Sequence, residues 1–311
     1  MGNIETINKS NDGGKWKGHL AMLMANVMWG LMSPVAKLVM GSGLVAPLLL
    51  TDMRIVGAAV LFWITSLFLP RERVPLADLL RLAGAGMLGI LFNQGCFIFG
   101  VGYTTPGEAS LITTTMPMWV MVMAYFILRE PITGKKVGGI LLGATGAVIL
   151  VLGGRAKISG GDNPMLGDLL VLTAQFSYAL YLTLYRNFIR KYSLVTLMKW
   201  MFTFAAIAVL PFSVRTISTT DFASFTPSIW CGAAYVVVMG TYVAYIGIMI
   251  GQKRLRPTVV GMYNYVQPIV ATIVGISLGL DVFTLPKAVA VVLIFTGVYL
   301  VTISRARSDA R

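Results

Sequence analysis

The chain has 311 residues, of which 57% are hydrophobic and 12% charged, with a mean hydropathy of +0.79. Soluble domains are roughly half apolar and a quarter charged, so these proportions exclude a soluble globular protein and make a lipid bilayer the expected surroundings. The formal net charge of +13 then bears on membrane orientation, and no nucleic-acid partner is expected.

A bilayer core of about 30 Å takes about 20 apolar helical residues to cross, and on that basis the chain divides into ten predicted spans. Residues 1–18, with Asn, Ser, Asp and paired Gly, read as a disordered cytoplasmic tail. Span one (20–40) is too long for a signal peptide and lacks a cleavage pattern, so it is expected to stay attached. Its Asn26, Trp29, Ser33 and Lys37 recur at three- and four-residue spacing and share one helix face. Span two (45–69) holds Asp52 and Arg54, which two positions apart cannot share a face. Span three (81–103) contributes Asn93 and Gln94. Span four (107–128), preceded by Pro106, contains Thr113, Thr114 and Pro117 and stops at Arg129-Glu130-Pro131, read as a cytoplasmic helix terminus. Span five (136–154) carries Gly138, Gly139, Gly143 and Gly146, small residues that allow close packing of the Gly-x-x-x-Gly kind.

After a periplasmic linker (155–165), span six (166–186) contains Gln175 and Tyr178, span seven (194–213) Lys199, and span eight (228–250) Tyr242 and Tyr245. Span nine (257–279) opens on Pro257 and carries Tyr263, Asn264, Gln267 and Pro268. Span ten (286–304) precedes a cytoplasmic tail (305–311). Cys96 and Cys231 fall inside spans, cannot make a disulfide framework, and read as small packing residues.

Basic residues alternate between the connections. Lys9, Lys15, Lys17, Arg71, Arg73, Arg81, Arg129, Lys135, Lys136, Arg186, Arg190, Lys191, Lys253, Arg254, Arg256, Arg305, Arg307 and Arg311 lie on one side, against Arg155, Lys157, Arg215 and Lys287 on the other. By the positive-inside rule both termini face the cytoplasm.

A shift of 151 positions sets residues 100–154 on 251–305, pairing Gly100 with Gly251, Pro106 with Pro257, Pro117 with Pro268, Glu130 with Asp281 and Gly146 with Gly297. A weaker match at 149 pairs Gly18 with Gly167, Asn26 with Gln175 and Trp29 with Tyr178. The chain is thus two five-span units, 19–154 and 166–304. Five is odd, so the second unit enters the membrane from the opposite side, the inverted architecture of many secondary transporters. The mid-span Pro117 and Pro268 free the carbonyls of Thr113 and Asn264. Such a break is tolerable where a cavity lies, and the four prolines Pro106, Pro117, Pro257 and Pro268 are candidate hinges.

Intramembrane polar residues are costly and face the bundle interior. The candidate cavity is therefore lined by Asn26, Trp29, Asn93, Gln94, Thr113, Thr114, Gln175, Tyr178, Tyr242, Tyr245, Asn264 and Gln267, from spans one, three, four, six, eight and nine. Spans two, five, seven and ten are blander. Amide, hydroxyl, indole and phenol groups with almost no charge suit a neutral, zwitterionic or amphipathic solute. Trp29, Tyr178, Tyr242 and Tyr245 also suggest a cation–π cage for organic cations, against which the lack of a nearby carboxylate counts. The charged intramembrane residues are Lys37, Asp52, Arg54 and Lys199. Asp52 is expected to pair with Lys37 or Lys199, or to be the single proton-site candidate. No phosphate loop, metal spacing or nucleophile–histidine set is present, so no cofactor, metal or catalysis is expected. A small-molecule metabolite and lipid are the expected partners of a monomer. A channel lacks a charge ring or carbonyl filter, and a scaffold or receptor would have little loop surface to offer.

The stretches NVMWGLMSPVAK (26–37) and TDMRIVGAAVLF (51–62), and the twice-used block from Pro106 through Pro117 to Glu130, resemble the EamA family of the drug/metabolite transporter superfamily over nearly the whole chain. Arg54 stands at that family's usual arginine, with no counterpart in span seven. The resemblance implies a ten-helix inverted-repeat fold around a central cavity and export or exchange of small metabolites, often amino-acid-like, across a bacterial inner membrane. It leaves the substrate open.

Overall fold

A computed structural model describes residues 2–103, 109, 112–152, 163–277 and 284–304. At 2–14, 33, 37, 147, 150–152, 164, 271, 272, 275, 276 and 287 it describes the backbone alone. Pro106, Asp281 and the side chains of Ser33 and Lys37 therefore lie outside the described residues, as do the tail 305–311 and most of the linker.

The described residues contain helices and no strand. In chain order these are α1 (Gly2–Gly41), α2 (Pro47–Leu67), α3 (Leu76–Tyr103), α4 (Met116–Leu128), α5 (Gly134–Leu152), α6 (Pro164–Leu184), α7 (Leu194–Thr219), α8 (Pro227–Arg254), α9 (257–277) and α10 (Leu285–Thr302). Among them α1 from Lys15 onward, α2, α3, α6, α7 and α8 are long and apolar enough to cross a membrane, and α4 and residues 288–302 form shorter apolar helices. At 1.5 Å per residue α1 is about 60 Å long, so the backbone of residues 2–18, expected as a tail, continues the helix beyond a bilayer's thickness.

The surface is apolar as well as the core, and polar residues are buried among the core residues. Leu67, Phe126, Phe212 and Val292 are exposed on the bundle surface, whereas Asn26, Asp52, Arg54, Gln94 and Thr241 are buried. Hydrocarbon solvent selects this arrangement, because polar groups must find partners within the protein.

The repeat reappears as secondary structure. Both α3 and α8 are interrupted by a single π-helical turn, Met87–Phe92 in one and Val238–Val243 in the other. Under the 151-residue shift the bounds of the two helices and of their π turns coincide residue for residue. Helix packing obeys the same exchange: α3 and α4 lie on α6 as α8 and α9 lie on α1, while α2 packs on α7 and α5 on α10.

Glycines set these crossings. A Cβ at Gly100 would meet Val171 Cγ2 at 2.6 Å and the Gly167 carbonyl at 2.9 Å; one at Gly251 would collide with Met22 and face the Gly18 carbonyl at 3.6 Å. Gly100 and Gly251 are repeat mates, as are Gly18 and Gly167, so the coincidences in the sequence are the two symmetric close approaches of α3 to α6 and α8 to α1. The Gly-x-x-x-Gly reading of α5 holds for Gly139, Gly143 and Gly146, which meet Gly297 and Val301, Tyr265, and Ala290 and Ile294. Gly138 meets nothing within 4 Å.

One end of the bundle collects the polar connections. Asp78 at the start of α3 binds Lys191 and Tyr192 beyond α6, Glu72 accepts from the Ser193 amide (3.0 Å), and Lys253 donates to the Tyr192 carbonyl. Arg129 adopts a left-handed φ of 53°, ending α4 and turning Glu130 inward. The buried Glu130 carboxylate then accepts from Lys136 Nζ (2.9 Å), Arg186 Nη1 (3.2 Å) and Thr258 Oγ1 (3.4 Å), joining both halves. What reads in the sequence as a plain helix terminus is an ionic junction of α4, α5, α6 and α9.

Gly251→Val should lower the melting temperature in detergent clearly, whereas Gly138→Ala should leave it unchanged or raise it, since helix propensity favours Ala by about 1 kcal/mol; equal effects would refute the packing assignment. Glu130→Ala strands a buried Lys136 and should cost about 3–5 kcal/mol, read as a large drop in thermal midpoint that Glu130→Leu/Lys136→Met partly restores.

Candidate substrate site

The two π turns organise the interior. Widening a helical turn leaves a backbone carbonyl without its usual amide donor, and in this interior side chains supply the replacement. Trp29 Nε1 donates to the Gly240 carbonyl (3.0 Å) and the Tyr245 hydroxyl to the Gly89 carbonyl (3.3 Å). Gly89 and Gly240 are repeat mates, so each half's π turn is capped by a polar aromatic residue. Ser177 Oγ also donates to the Leu88 carbonyl (2.8 Å).

These caps meet at the centre. The Trp29 ring stands edge-on to Tyr245 (5.7 Å between centroids) and to Tyr178 (6.3 Å). Tyr178 accepts from Gln252 Nε2 (3.1 Å), and Gln94 Nε2 donates to the Tyr245 hydroxyl (2.9 Å). Tyr242 departs from the expected four-ring cage: its ring packs on Phe62 (4.7 Å) and its hydroxyl pairs with Thr65 (2.6 Å). Three positions along a helix from Tyr245, it turns toward α2 while Tyr245 faces α3.

A second cluster joins the helix breaks. Gln267 Nε2 donates to Asn26 Oδ1 (3.1 Å) and Asn264 Oδ1 (3.3 Å), and Asn26 Nδ2 to the Met22 carbonyl (2.9 Å). Asn93 Nδ2 reaches the Ala174 carbonyl on α6 (3.1 Å). Gln175, Thr113 and Thr114 are buried. Of the expected lining, Asn26 with Asn264 and Gln267, and Trp29 with Tyr178, Tyr245 and Gln94, are brought together in these two groups.

The prolines act differently from a kink in a continuous helix. The chain turns at Thr114–Thr115, with the Thr115 amide bonded to the Ile112 carbonyl (3.0 Å), and α4 begins at Met116. Pro117 thus occupies the first turn, where no amide donor is needed. Pro268 likewise follows a 3-10 turn, Tyr263–Tyr265, two residues into the segment Val266–Ser277. Pro268 starts the second part of a broken helix, and Pro117 the first turn of α4. Pro257 begins α9 itself.

The charged residues also rearrange. Lys199 does not pair with Asp52: its Nζ lies 4.6 Å from the Trp63 ring centre, while Asp52 lies beside Ser213, fourteen residues and about 20 Å further along α7. Both Asp52 carboxylate oxygens are buried without a hydrogen bond, and the Ser213 hydroxyl donates instead to the Val209 carbonyl (3.2 Å). Arg54, on a span expected to be bland, points into the centre and donates from Nε to Thr241 Oγ1 (3.1 Å) in the π turn of α8. Periodicity places Arg54 and Asp52 on different faces but cannot say that the arginine's face is the inner one. The role of Ser177, Thr241 and Gln252 is equally silent in the sequence, because their partners are carbonyls and side chains up to 187 positions away.

Chemically, the interior offers amide donors and acceptors, phenol and indole edges, and one guanidinium. Among the described residues no cluster of His, Cys, Asp and Glu is suited to a metal ion.

The chain superposes on the crystal structure of another protein with a TM-score of 0.75 over 94% of this chain and 97% of that one, at 20% identity, a likeness of fold. It is 24% identical over 233 residues to "Uncharacterized transporter YetK" of Bacillus subtilis, covering 75% of this chain and 71% of the relative. To the "Probable amino-acid metabolite efflux pump" of Salmonella typhimurium it is 29% identical over 242 residues, 75% of each chain. The protein of the same name in Escherichia coli is 28% identical over 251 residues, 79% of each. The model of the EamA-like transporter family matches twice, over residues 16–152 and 165–303. With its apolar membrane-length helices and one copy of the family unit in each half, this multi-pass membrane protein belongs to the EamA-like transporter family.

Proposed function

We propose that the protein is a secondary transporter that exports or exchanges a small neutral or zwitterionic, amino-acid-like metabolite by alternating access. The observation that carries this reading is the buried set of amides and aromatics drawn from both halves, lying where the π turns of α3 and α8 meet the Asn26–Gln267–Asn264 cluster beside the break in α9. A transporter needs a polar site that two rigid halves can expose in turn, and helix interruptions at such a site let the halves move without unravelling. The names of the two efflux-pump relatives point to the same solute class.

In this proposal the chain crosses a bacterial inner membrane ten times as two inverted five-helix units, with both termini cytoplasmic, and works as a monomer. The end of the bundle held by Glu130, Asp78 and their basic partners is the cytoplasmic one, in keeping with the positive-inside rule. Opening toward that side would part Arg186 from Glu130, because the pair joins opposite halves. Asp52, buried and lacking a hydrogen bond, is the proton-site candidate. Efflux of organic cations fits less well, because the aromatic centre lies beside the buried cation Arg54.

Counterflow in proteoliposomes loaded with a mixed pool of amino acids, nucleosides and organic cations tests this reading. Selective exchange of amino-acid-like solutes is expected, with Asn264→Ala raising KM roughly fivefold for the loss of about 1 kcal/mol of hydrogen bonding. The Pro117→Ala/Pro268→Ala protein should fold yet exchange slowly. Folded wild-type protein that exchanges no member of successively wider pools would favour a scaffold role.

A further inference from the structure

Two polar groups at the centre are only partly satisfied. The Arg54 guanidinium is 2% exposed, and among the described residues Thr241 alone accepts a hydrogen bond from it and no carboxylate pairs with it. A buried guanidinium without a counter-anion is costly, since its charge has left water without compensation. Asp52 does not compensate it, because it occupies another face of α2 beside Ser213.

The second group is the Gln94 side-chain oxygen, buried and accepting no hydrogen bond. The Tyr245 hydroxyl, which gives its proton to the Gly89 carbonyl (3.3 Å), must accept from Gln94, so the amide nitrogen faces Tyr245 and the oxygen faces away. Arg54 is held by Thr241, four residues before the same Tyr245 on α8. An unpaired cation and an unpaired acceptor thus flank one phenol, with the Trp29 ring 5.7 Å from it and Phe202 at 5.2 Å.

We propose that Arg54 and Gln94 form the headgroup subsite of the transporter, Arg54 binding the carboxylate and the Gln94 oxygen the ammonium of an α-amino acid. This inference rests on the transport reading above and narrows its substrate class. A guanidinium supplies the planar pair of donors that matches a carboxylate, while a neutral amide oxygen accepts from an ammonium without adding the negative charge that would tie up Arg54. The aromatic rings beside Tyr245 leave the amino acid's side chain an apolar surface. Thr241, held by its own hydrogen bond to the Val236 carbonyl (2.8 Å), orients the guanidinium from the π turn of α8.

The test is counterflow by the full-length protein against a pool in which each of several amino acids accompanies its α-amide and its decarboxylated amine, run in chloride and in gluconate buffer. Wild type should exchange the acids at least tenfold faster than the matched amides and amines in both buffers. Arg54→Gln should abolish that preference, and Arg54→Lys, which keeps the charge and the better chance of folding, should raise KM for the acids at least fivefold at unchanged kcat. Exchange of amides or amines as fast as acids would overturn the assignment while leaving transport intact. An unchanged KM in Arg54→Lys would do the same, as would flux that depends on chloride without acid preference, which would make the guanidinium a chloride site. A folded wild-type protein exchanging nothing would overturn the transport reading, and this inference with it.

Discussion

In hydrocarbon a backbone carbonyl that loses its helical donor must find another inside the protein, and the centre of this molecule is organised by that requirement. The π turns of α3 and α8 release the carbonyls of Leu88, Gly89 and Gly240, and Ser177, Tyr245 and Trp29 take them up. Each of these bonds crosses between helices far apart in the chain, so satisfying the backbone also locks the two halves to each other. The aromatic residues that cap the turns stand ring to ring at the centre.

The duplication makes this possible twice with one set of parts. Gly89 lies against Tyr181 as Gly240 lies against Met32, and Gly100 meets Gly167 and Val171 as Gly251 meets Gly18 and Met22. Where two helices approach that closely, a side chain, and at Gly100 also a backbone carbonyl, occupies the space a Cβ would need, which leaves glycine as the residue that fits best. The glycines thus fix the distance between halves, and the π turns between them set the level at which polar groups emerge. Arg54 breaks the symmetry. It enters from α2 in the first half alone, so a symmetric scaffold presents an asymmetric, cationic centre.

Charge is partitioned along the bundle. At one end carboxylates and basic groups satisfy each other: Glu130 with Lys136 and Arg186, Asp78 with Lys191. The first set joins residues from both repeats, so its integrity depends on the relative position of the halves. At the centre Arg54 has a hydroxyl and no carboxylate for a partner, and two residues nearer the start of α2 Asp52 has no hydrogen bond. Paired charges suit a boundary that must close, and unpaired ones suit a place where a ligand or proton supplies what is missing.

Much of this was open to reading in the residues alone. Composition placed the chain in a membrane, the apolar runs marked its membrane-length helices, and the repeat paired Gly100 with Gly251 and Gly18 with Gly167, the residues of the symmetric helix crossings. These are properties of local pattern: hydrophobic length reports solvent, and duplicated glycines and prolines report duplicated backbone geometry. The tertiary structure alone decided the rest. Tyr242 turned to Phe62 and Thr65, Lys199 to Trp63, and Pro117 began a helix where a kink was expected. Arg54 came inward from a span that looked bland. Periodicity can assign residues to a common helix face, but which face meets the centre depends on neighbours contributed by distant helices, and the partners of Arg54, Glu130 and the π-turn carbonyls lie up to 211 positions away.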